Sequence, residues 1–434
     1  MPSKGVENMK DLKQKIDRYI DDHSAELIEF LQGLVRINSA DIHHGLDGRE
    51  EGAQLYLKDF LEPLGAKIQL IEPEYSTMAD SPECPPGHNY KGRPNLIADF
   101  KGAGGGRSIV LSGHVDTMDP GDLSQWKHDP WSADIEDGFL HGVGSADMKA
   151  GMAAICYAVK AVREHAQLLG DLQIASVVDE EGGGNGTLDY VRRGLCKADG
   201  AIITEPTNCE IATASRGVLL LRVEVEGQTG HPLYKWELNN AIEKALIIKD
   251  ALYELERRWL GTKCDPVLPH PSITLCMMEG GVSGTSIPDK CSMSFQLDMI
   301  PVDHYFNGPD RIVDGMDVRA EVEEVIRRAC ASDVWLSEHP PKLHWYQHVE
   351  PHKIDDGFEL VKILQRNCGA PIRPMMAGND ARHIVKGGVP CFVFGPGSMK
   401  DVHQPNEKVE ISQIISVTKA LAATLVDWCG VATQ

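Results

Sequence analysis

The chain has 434 residues, of which 42% are hydrophobic and 25% charged, a composition typical of globular proteins. Because a single core rarely organises so long a chain, we expect two domains. Lys and Arg number 43 against 64 Asp and Glu, so the formal net charge is −21. This charge argues against nucleic acid or an anionic membrane as a partner.

The amino-terminal stretch is charged throughout and lacks the apolar core of a signal peptide. No apolar run approaches the length of a membrane span. The 11 cysteines are scattered singly without a CxxC pair, which is typical of reduced thiols. These features predict a cytoplasmic protein.

Apolar residues at helical spacing predict a helical start over residues 9–37. From there to about residue 213, strand-like and helical runs alternate. The predicted strands are NLIADF, SIVLSG, LQIASVV and AIITE, and helices are expected over 150–165 and 188–193. Such alternation predicts an α/β sheet.

The pattern changes near residue 214, where GVLLLRVEVEG alternates polar and apolar residues. Two further strands and two long helices predict a small α+β layer covered on one face. Beyond about residue 348 the α/β pattern resumes and ends in a helix over 411–429. We therefore expect a catalytic α/β domain of residues 1–213 and 348–434, interrupted by an inserted α+β domain of residues 214–347.

Acidic residues and histidines follow the predicted strands at the points where each strand ends. The candidates are His114 and Asp116 after SIVLSG, Asp179, Glu180 and Glu181 after LQIASVV, Glu205 after AIIT, Asp147 just before a helix, and His403 after VPCFVFGPG. Ligand sites of open α/β sheets gather at the carboxyl ends of strands, so these side chains are expected to converge. Each motif alone is more often structural; their joint placement favours a functional site.

Two histidines and several carboxylates without a thiolate suit one or two ions of zinc, manganese or cobalt type. The three consecutive acids at 179–181 repel one another, and cations among them would turn that repulsion into attraction. Asp116, two residues after His114, fits a carboxylate that accepts the other imidazole N–H and orients the ring.

Five ordered blocks resemble one co-catalytic metallohydrolase family, which includes acetylornithine deacetylase, succinyl-diaminopimelate desuccinylase, aminoacylase and glutamate carboxypeptidase. The blocks are SGHVDTMDPGD, WKHDPWSADIEDGFLHGVGSADMKAGMAA, VVDEEGGGNGT, ITEPT and GPGSMKDVHQPNE. The resemblance runs from LVRINS near residue 35 to HQPNE. It implies an aminopeptidase-like α/β catalytic domain with a mixed sheet, an inserted α+β lid and dimerisation domain, and a homodimer.

The same resemblance implies roles residue by residue. Metal ligands would be His114 and Glu205 for one ion, Glu181 and His403 for the other, and Asp147 as the bridge between them. Asp116 would support His114, and Glu180 would be the general base that takes a proton from water and returns it to the leaving nitrogen. His231, reaching a partner subunit's site, would stabilise the developing oxyanion.

Departures from the family pattern concern the substrate. Thr285 stands where a substrate-gripping Asn is common, and Tyr234 and Trp236 follow His231 where small residues are usual. The two aromatic residues would either line a pocket for a flat substrate or pack in a dimer interface. Arg382 would either bind a substrate carboxylate or form a surface ion pair.

These features predict a metal-dependent amidohydrolase acting on a small molecule that carries a carboxylate. The first hypothesis is an N-acyl amino acid deacylase similar to acetylornithine deacetylase. The alternative is removal of an amino group from an aromatic acid, as in 5-nitroanthranilic acid aminohydrolase, and a dipeptidase or carboxypeptidase is third. A metal-free binding protein would have lost a ligand or the base, yet this chain keeps all of them.

Overall fold

A computed structural model describes residues 4–42, 46–303 and 311–432. It divides into two compact units. The first comprises the described residues up to Thr213, Ile354–Met375, and those from Asn379 onward; the second comprises Ala214–Lys353 and Met376–Gly378. Helices and strands are numbered in chain order over both units.

The first unit alternates helices and strands for most of its length. Its helices are α1 Lys4–Asp22, α2 Ser24–Val35, α3 Glu51–Leu61, α4 Tyr75–Met78, α5 Ala150–His165, α6 Asn185–Arg192, α10 Glu359–Cys368, α11 Ala381–Lys386 and α12 Ile411–Cys429. Its strands are β1 Asp41–Ile42, β2 Asp47–Gly48, β3 Lys67–Ile71, β4 Asn95–Phe100, β5 Ile109–His114, β6 Ile135–Glu136, β7 Phe139–His141, β8 Leu172–Val177, β9 Ala201–Ile203, β18 Cys391–Val393 and β19 Lys408–Glu410.

Six of these strands form one mixed sheet in the order β18-β9-β5-β8-β4-β3. The four strands from β18 to β8 are parallel, β4 runs antiparallel to β8, and β3 runs antiparallel to β4. β5 and β8 are almost fully buried, as expected of strands covered on both faces. Because β5, β8 and β9 are parallel, their carboxyl ends meet at one edge of the sheet, where the polar residues of the sequence motifs follow. The predicted α/β class with a mixed sheet is confirmed.

Helix α5 packs in the middle of this unit's core. Nearly every residue of its first three turns is buried, from Ala150 to Val162. The small residues Gly151, Ala153 and Ala154 allow close packing: a Cβ at Gly151 would lie 2.2 Å from the backbone oxygen of Thr204. The start of α5 is therefore fixed next to the segment that carries Asp147 and Glu205.

The second unit is an α+β layer. Its elements are β10 Ala214–Ser215, β11 Gly217–Glu226, α7 Ala241–Thr262, β12 Ser272–Gly280, β13 Lys290–Met299, β14 Val302–Asp303, β15 Arg311–Ile312, α8 Gly315–Ala331, α9 Val334–Glu338, β16 Lys342–Val349 and β17 His352–Lys353. Four of these strands form an antiparallel sheet in the order β12-β13-β11-β16. Burial alternates along β11, so one face of the sheet packs against helices α7 and α8.

Three details differ from the sequence predictions. The helical start expected over residues 9–37 consists of two helices that are separated at His23. The second unit extends to Lys353, past residue 347, because β16 continues to Val349 and β17 pairs with β10. Strand β16 and helix α3 were not predicted at all.

The 11 cysteines are all unpaired, and no helix in the described ranges has both the length and the apolarity to cross a membrane.

Candidate active site

Strand ends of the first unit bring the predicted acids and histidines together. His114 is the last residue of β5, Glu205 follows β9, and Glu180 and Glu181 follow β8. Asp147 lies in the segment that precedes α5, and His403 lies in the loop between β18 and β19. All belong to the first unit.

Two clusters of ligand-type side chains share one carboxylate. One contains His114, Asp147 and Glu205, and the other contains Asp147, Glu181 and His403; in each, one ligand atom per residue lies within 4.8 Å of the others. His114 Nε2 is 3.1 Å from Asp147 Oδ1, and His403 Nε2 is 3.3 Å from Asp147 Oδ2. Asp147 therefore presents one oxygen to each histidine, as a carboxylate bridging two ions would.

The second cluster is closed by a short contact between His403 and Glu181. His403 Nε2 lies 2.9 Å from Glu181 Oε2. The hydrogen bonds to Asp147 and Glu181 raise the pKa of His403 to about 11. For His114, burial alone would lower the pKa, yet the charges of Glu205 and Asp116 raise it well above the usual value. Both rings are therefore held by surrounding negative charge, which is the environment of a cation site.

The carboxylates at the site outnumber the two histidines that could carry positive charge. Burial is the main cause that raises the pKa of Glu180, Glu181 and Glu205, the last to about 8. The Oε1 atom of Glu205 is buried, has no hydrogen-bond partner among the described residues, and lies 3.7 Å from His114 Nε2. An orphaned oxygen at the centre of several buried acids is costly unless a cation neutralises it. The residues present thus fit two divalent ions of the type bound by imidazole and carboxylate.

The first acid of the DEE run points away from these clusters. Asp179 is fully buried with a φ of +62°. Its Oδ2 accepts hydrogen bonds from Tyr90 and Asn185, both at 2.9 Å, and lies 3.0 Å from His88 Nδ1. Its Oδ1 is 3.4 Å from the guanidinium of Arg93. The three acids therefore divide, since Asp179 anchors the loop internally while the two glutamates remain at the site.

The glycines after the DEE run allow the chain to turn tightly. Gly184 has a φ of +76°, and its backbone N–H donates to the carbonyl oxygen of Asp179 at 2.9 Å. A Cβ at this position would lie 2.2 Å from Asp380 Oδ1. A side chain is excluded on both counts, by backbone conformation and by space.

One carboxylate that the sequence interpretation missed holds the segment carrying Asp147. Glu407 is buried, and its Oε1 accepts from the backbone N–H groups of Ala146 at 2.8 Å and Asp147 at 3.0 Å. Its Oε2 accepts from Gly144 N–H at 3.0 Å. The available signal was its place at the end of the HQPNE block, four residues after His403.

The expected contact between Asp116 and His114 needs a correction. His114 Nδ1 is 2.9 Å from the backbone oxygen of Asp116 but 3.5 Å from its carboxylate Oδ1. The carboxylate Oδ2 instead accepts a hydrogen bond from Glu181 N–H at 3.0 Å. Asp116 thus orients the ring through its backbone and fixes Glu181 through its side chain.

Arg382 does not form the surface ion pair considered above. It is buried, and its Nε donates to Glu83 Oε2 at 2.7 Å. The two terminal nitrogens donate to the carbonyl oxygens of Asn379 at 2.8 Å and Gly183 at 2.6 Å. Arg382 thereby ties α11 to the glycine loop. Its binding of a substrate carboxylate stays a prediction.

The remaining predicted residues lie in the second unit. His231 is exposed, and its Nδ1 accepts a hydrogen bond from Leu233 N–H at 3.2 Å. Tyr234 is 58% and Trp236 92% exposed, which is unusual for large aromatic side chains. Thr285 is also exposed, with its hydroxyl 2.9 Å from that of Ser283. Their parts in the reaction stay predictions.

Known proteins share this architecture. A tripeptidase from Staphylococcus aureus has the same fold with a TM-score of 0.70 at 19% identity, over 94% of this chain and 98% of that one. In sequence, an N-formyl-4-amino-5-aminomethyl-2-methylpyrimidine deformylase from Halalkalibacterium halodurans is 29% identical over 95% of this chain and 96% of its own. The acetylornithine deacetylase of Proteus mirabilis is 26% identical over 83% of this chain and 89% of its own.

The family assignment follows from the sequence of the whole core. The model of the peptidase family M20/M25/M40 matches residues 110–427, a span that begins in β5 and ends in α12. It contains all the residues of the two clusters. The resemblance inferred from the five blocks is confirmed. The chain belongs to the peptidase family M20/M25/M40 and is a metal-dependent hydrolase of C–N bonds.

Proposed function

We propose that this protein removes a small acyl group from the nitrogen of a small amine. The observation that carries the proposal is a pair of ligand clusters that share Asp147, with the buried Glu180 next to Glu181 in the chain and interacting electrostatically with Glu205 and His114. Two relatives that align with most of the chain, the deformylase and the acetylornithine deacetylase, are named for releasing a formyl or an acetyl group from nitrogen. The shared chemistry is hydrolysis of an N-acyl bond.

The residues assigned to the two ions are those of the two clusters. His114 and Glu205 would hold one, His403 and Glu181 the other, and Asp147 would contact both. Divalent ions of the zinc type lower the pKa of water towards neutrality and polarise a carbonyl oxygen. Asp116 and Glu407 position Glu181 and Asp147 through the hydrogen bonds described above.

Glu180 is the residue to which we assign proton transfer. Burial raises the pKa of its carboxyl well above the usual value, and the charges of Asp380 and Glu205 raise it further. A carboxylate with a raised pKa accepts a proton from water more readily and is an effective acid afterwards. The water oxygen adds to the acyl carbon, the C–N bond breaks, and the proton held by Glu180 passes to the leaving nitrogen. The products are a carboxylic acid and an amine.

Two kinds of amine are candidates for the part of the substrate that carries the acyl group. The pyrimidine in the deformylase's name and the exposed Tyr234 and Trp236 both favour a flat ring as the amine component. An N-acyl amino acid is the other candidate, supported by the acetylornithine deacetylase. Zinc, manganese and cobalt ions all suit the ligand set. From the family resemblance we also propose that the protein forms a homodimer.

A substrate panel tests the proposal. The metal-loaded protein is incubated separately with an N-formyl aminomethylpyrimidine, N-acetylornithine, an amino-substituted aromatic acid and a dipeptide. We expect formate or acetate from the first or second compound, measured enzymatically. If only the aromatic acid reacts and releases ammonia, or only the dipeptide reacts and releases amino acids, the proposed hydrolysis of an N-acyl bond is wrong. Glu180→Gln, carried through the same panel, controls for a contaminating hydrolase.

A further inference from the structure

A third cluster of ligand-type side chains lies outside the candidate active site. It consists of His128, Glu136 and His141, which lie in one of the five sequence blocks but have no part in the proposed reaction. Glu136 and His141 belong to the β6–β7 hairpin, and His128 lies in the loop before it. One atom from each residue lies within 4.8 Å of the other two.

The separation between two of these ligand atoms matches one metal ion. His128 Nε2 is 3.3 Å from Glu136 Oε2. Two ligands at about 2.1 Å from a tetrahedral zinc ion lie roughly 3.4 Å apart. The rings of His128 and His141 face each other with centroids 4.6 Å apart and an angle of 31° between their planes. Because one ligand atom of each residue already lies within 4.8 Å of the other two, small rotations of the side chains would allow all three to bind one ion.

The surroundings of the two rings point to the same use. The second nitrogen of His128, Nδ1, is 3.0 Å from Asp134 Oδ2, so a carboxylate orients the ring and leaves Nε2 directed at Glu136. This pairing of carboxylate and histidine is the common support of a metal-bound imidazole. Nδ1 of His141 is buried without a hydrogen-bond partner among the described residues. A buried ring nitrogen without a partner is costly, and a bound cation would satisfy it.

We propose that His128, Glu136 and His141 bind a third divalent ion of the zinc class. Two imidazoles and one carboxylate leave a fourth position, and the half-exposed side chain of Glu136 opens it to water. Lys127 Nζ contacts the same Oε2 atom of Glu136, so the ammonium would have to move away for an ion to bind that oxygen. Ion binding thus replaces one cation by another at that oxygen.

The site would act on the backbone that leads to the catalytic centre. β7 ends at His141, and the next residue, Gly142, donates a hydrogen bond to the backbone oxygen of Glu407 at 3.0 Å. β7 also pairs with β19, in which Lys408 lies opposite His141. An ion that fixes His141 against His128 would therefore rigidify the segment between the hairpin and Asp147.

Zinc stoichiometry of the full-length protein tests this proposal. Wild type, Glu136→Gln and His141→Gln are dialysed against micromolar zinc, and bound zinc per chain is measured by mass spectrometry. We expect each variant to bind one ion fewer than wild type. His344→Gln, which replaces an exposed histidine of the second unit, is the matched control and should bind as much as wild type.

A calorimetric titration provides an independent reading. With the tighter sites already filled, further zinc should give a binding isotherm with wild type that is absent with Glu136→Gln. Because Glu136 is half-exposed and its replacement keeps the side-chain size, that variant is expected to fold, which circular dichroism checks. Equal zinc content in wild type and both variants would overturn the proposal. The comparison measures a difference of one ion, so it does not depend on the assignment of the first two.

Discussion

Glu407 accepts a hydrogen bond from the backbone N–H of Asp147, with 3.0 Å between Oε1 and the nitrogen. The same carboxylate also accepts from the N–H groups of Gly144 and Ala146, so one buried side chain holds three residues of the segment before α5. Asp147 is the carboxylate shared by both ligand clusters. Its position therefore depends on a residue that lies 260 positions further along the chain.

Replacing Glu407 by Gln should loosen that segment. The amide keeps one acceptor but presents an NH2 group to a backbone N–H, so at least one buried donor loses its partner, at a cost of about 1–3 kcal/mol. We expect a lower free energy of unfolding in urea together with reduced metal content. Glu410→Gln, at the end of β19, the strand that begins directly after Glu407, is the control and should change neither. An unchanged unfolding curve for Glu407→Gln would contradict the assigned role.

The two adjacent glutamates should respond differently to the same substitution. Glu181→Gln removes a charge that lies 2.9 Å from His403 Nε2 and should lose metal. Glu180→Gln should retain metal and lose turnover by about 10²–10⁴-fold, the usual contribution of a general base. Metal analysis and initial rates on the same preparations check both outcomes. Identical behaviour of the two variants would show that the division of roles is wrong.

Arg93 should be among the most sensitive positions for stability. It is fully buried, with Nε 2.9 Å from Glu50 Oε2 and a terminal nitrogen 3.4 Å from Asp179 Oδ1. Arg93→Met leaves two buried carboxylates without their cation, and breaking such a pair costs about 3–5 kcal/mol. The exposed pair of Lys101 and Asp171 is the control, where Lys101→Met should cost about 0–1 kcal/mol in the same urea unfolding experiment.

His383 should make stability depend on pH. Burial, followed by the charge of Arg382, lowers the pKa of its ring to about 3 in the folded protein. In the unfolded chain the pKa is about 6.5, so on acidification the unfolded state takes up a proton that the folded state refuses. The stability from the neutral ring is complete above about pH 6.5 and is lost progressively towards pH 3.

Urea unfolding at pH 7 and pH 5 measures this effect. The loss of stability between the two values should be about 2 kcal/mol smaller in His383→Gln than in wild type. His344→Gln, at an exposed position, should match wild type. An equal loss in His383→Gln and wild type would show that the ring is protonated in the folded state.

Sequence alone determined the fold class and predicted which acids and histidines lie together, because both depend on local signals. Period-two and period-3.6 patterns mark the strands and helices, and parallel strands of an open sheet necessarily end at a common edge. His114, Glu181 and Glu205 could therefore be expected near one another from sequence, since each lies at or shortly after the end of a strand. Asp147, just before α5, and His403, in the loop after β18, were expected to join them on the same argument, and the family resemblance added their roles as ligands.

Only the tertiary structure decided how these residues are held. Asp179 could not be separated from its two neighbours in sequence; its positive φ and its contacts with Arg93 and Tyr90 are what turn it inward. The same holds for Glu407 and Arg382, whose partners lie far away along the chain. It also holds for His128 and His141, whose rings face each other because of their side-chain directions. A sequence pattern gives the position of a residue along its own element. Which buried donors and charges it meets depends on how that element packs against the others, and desolvation makes those partners decisive.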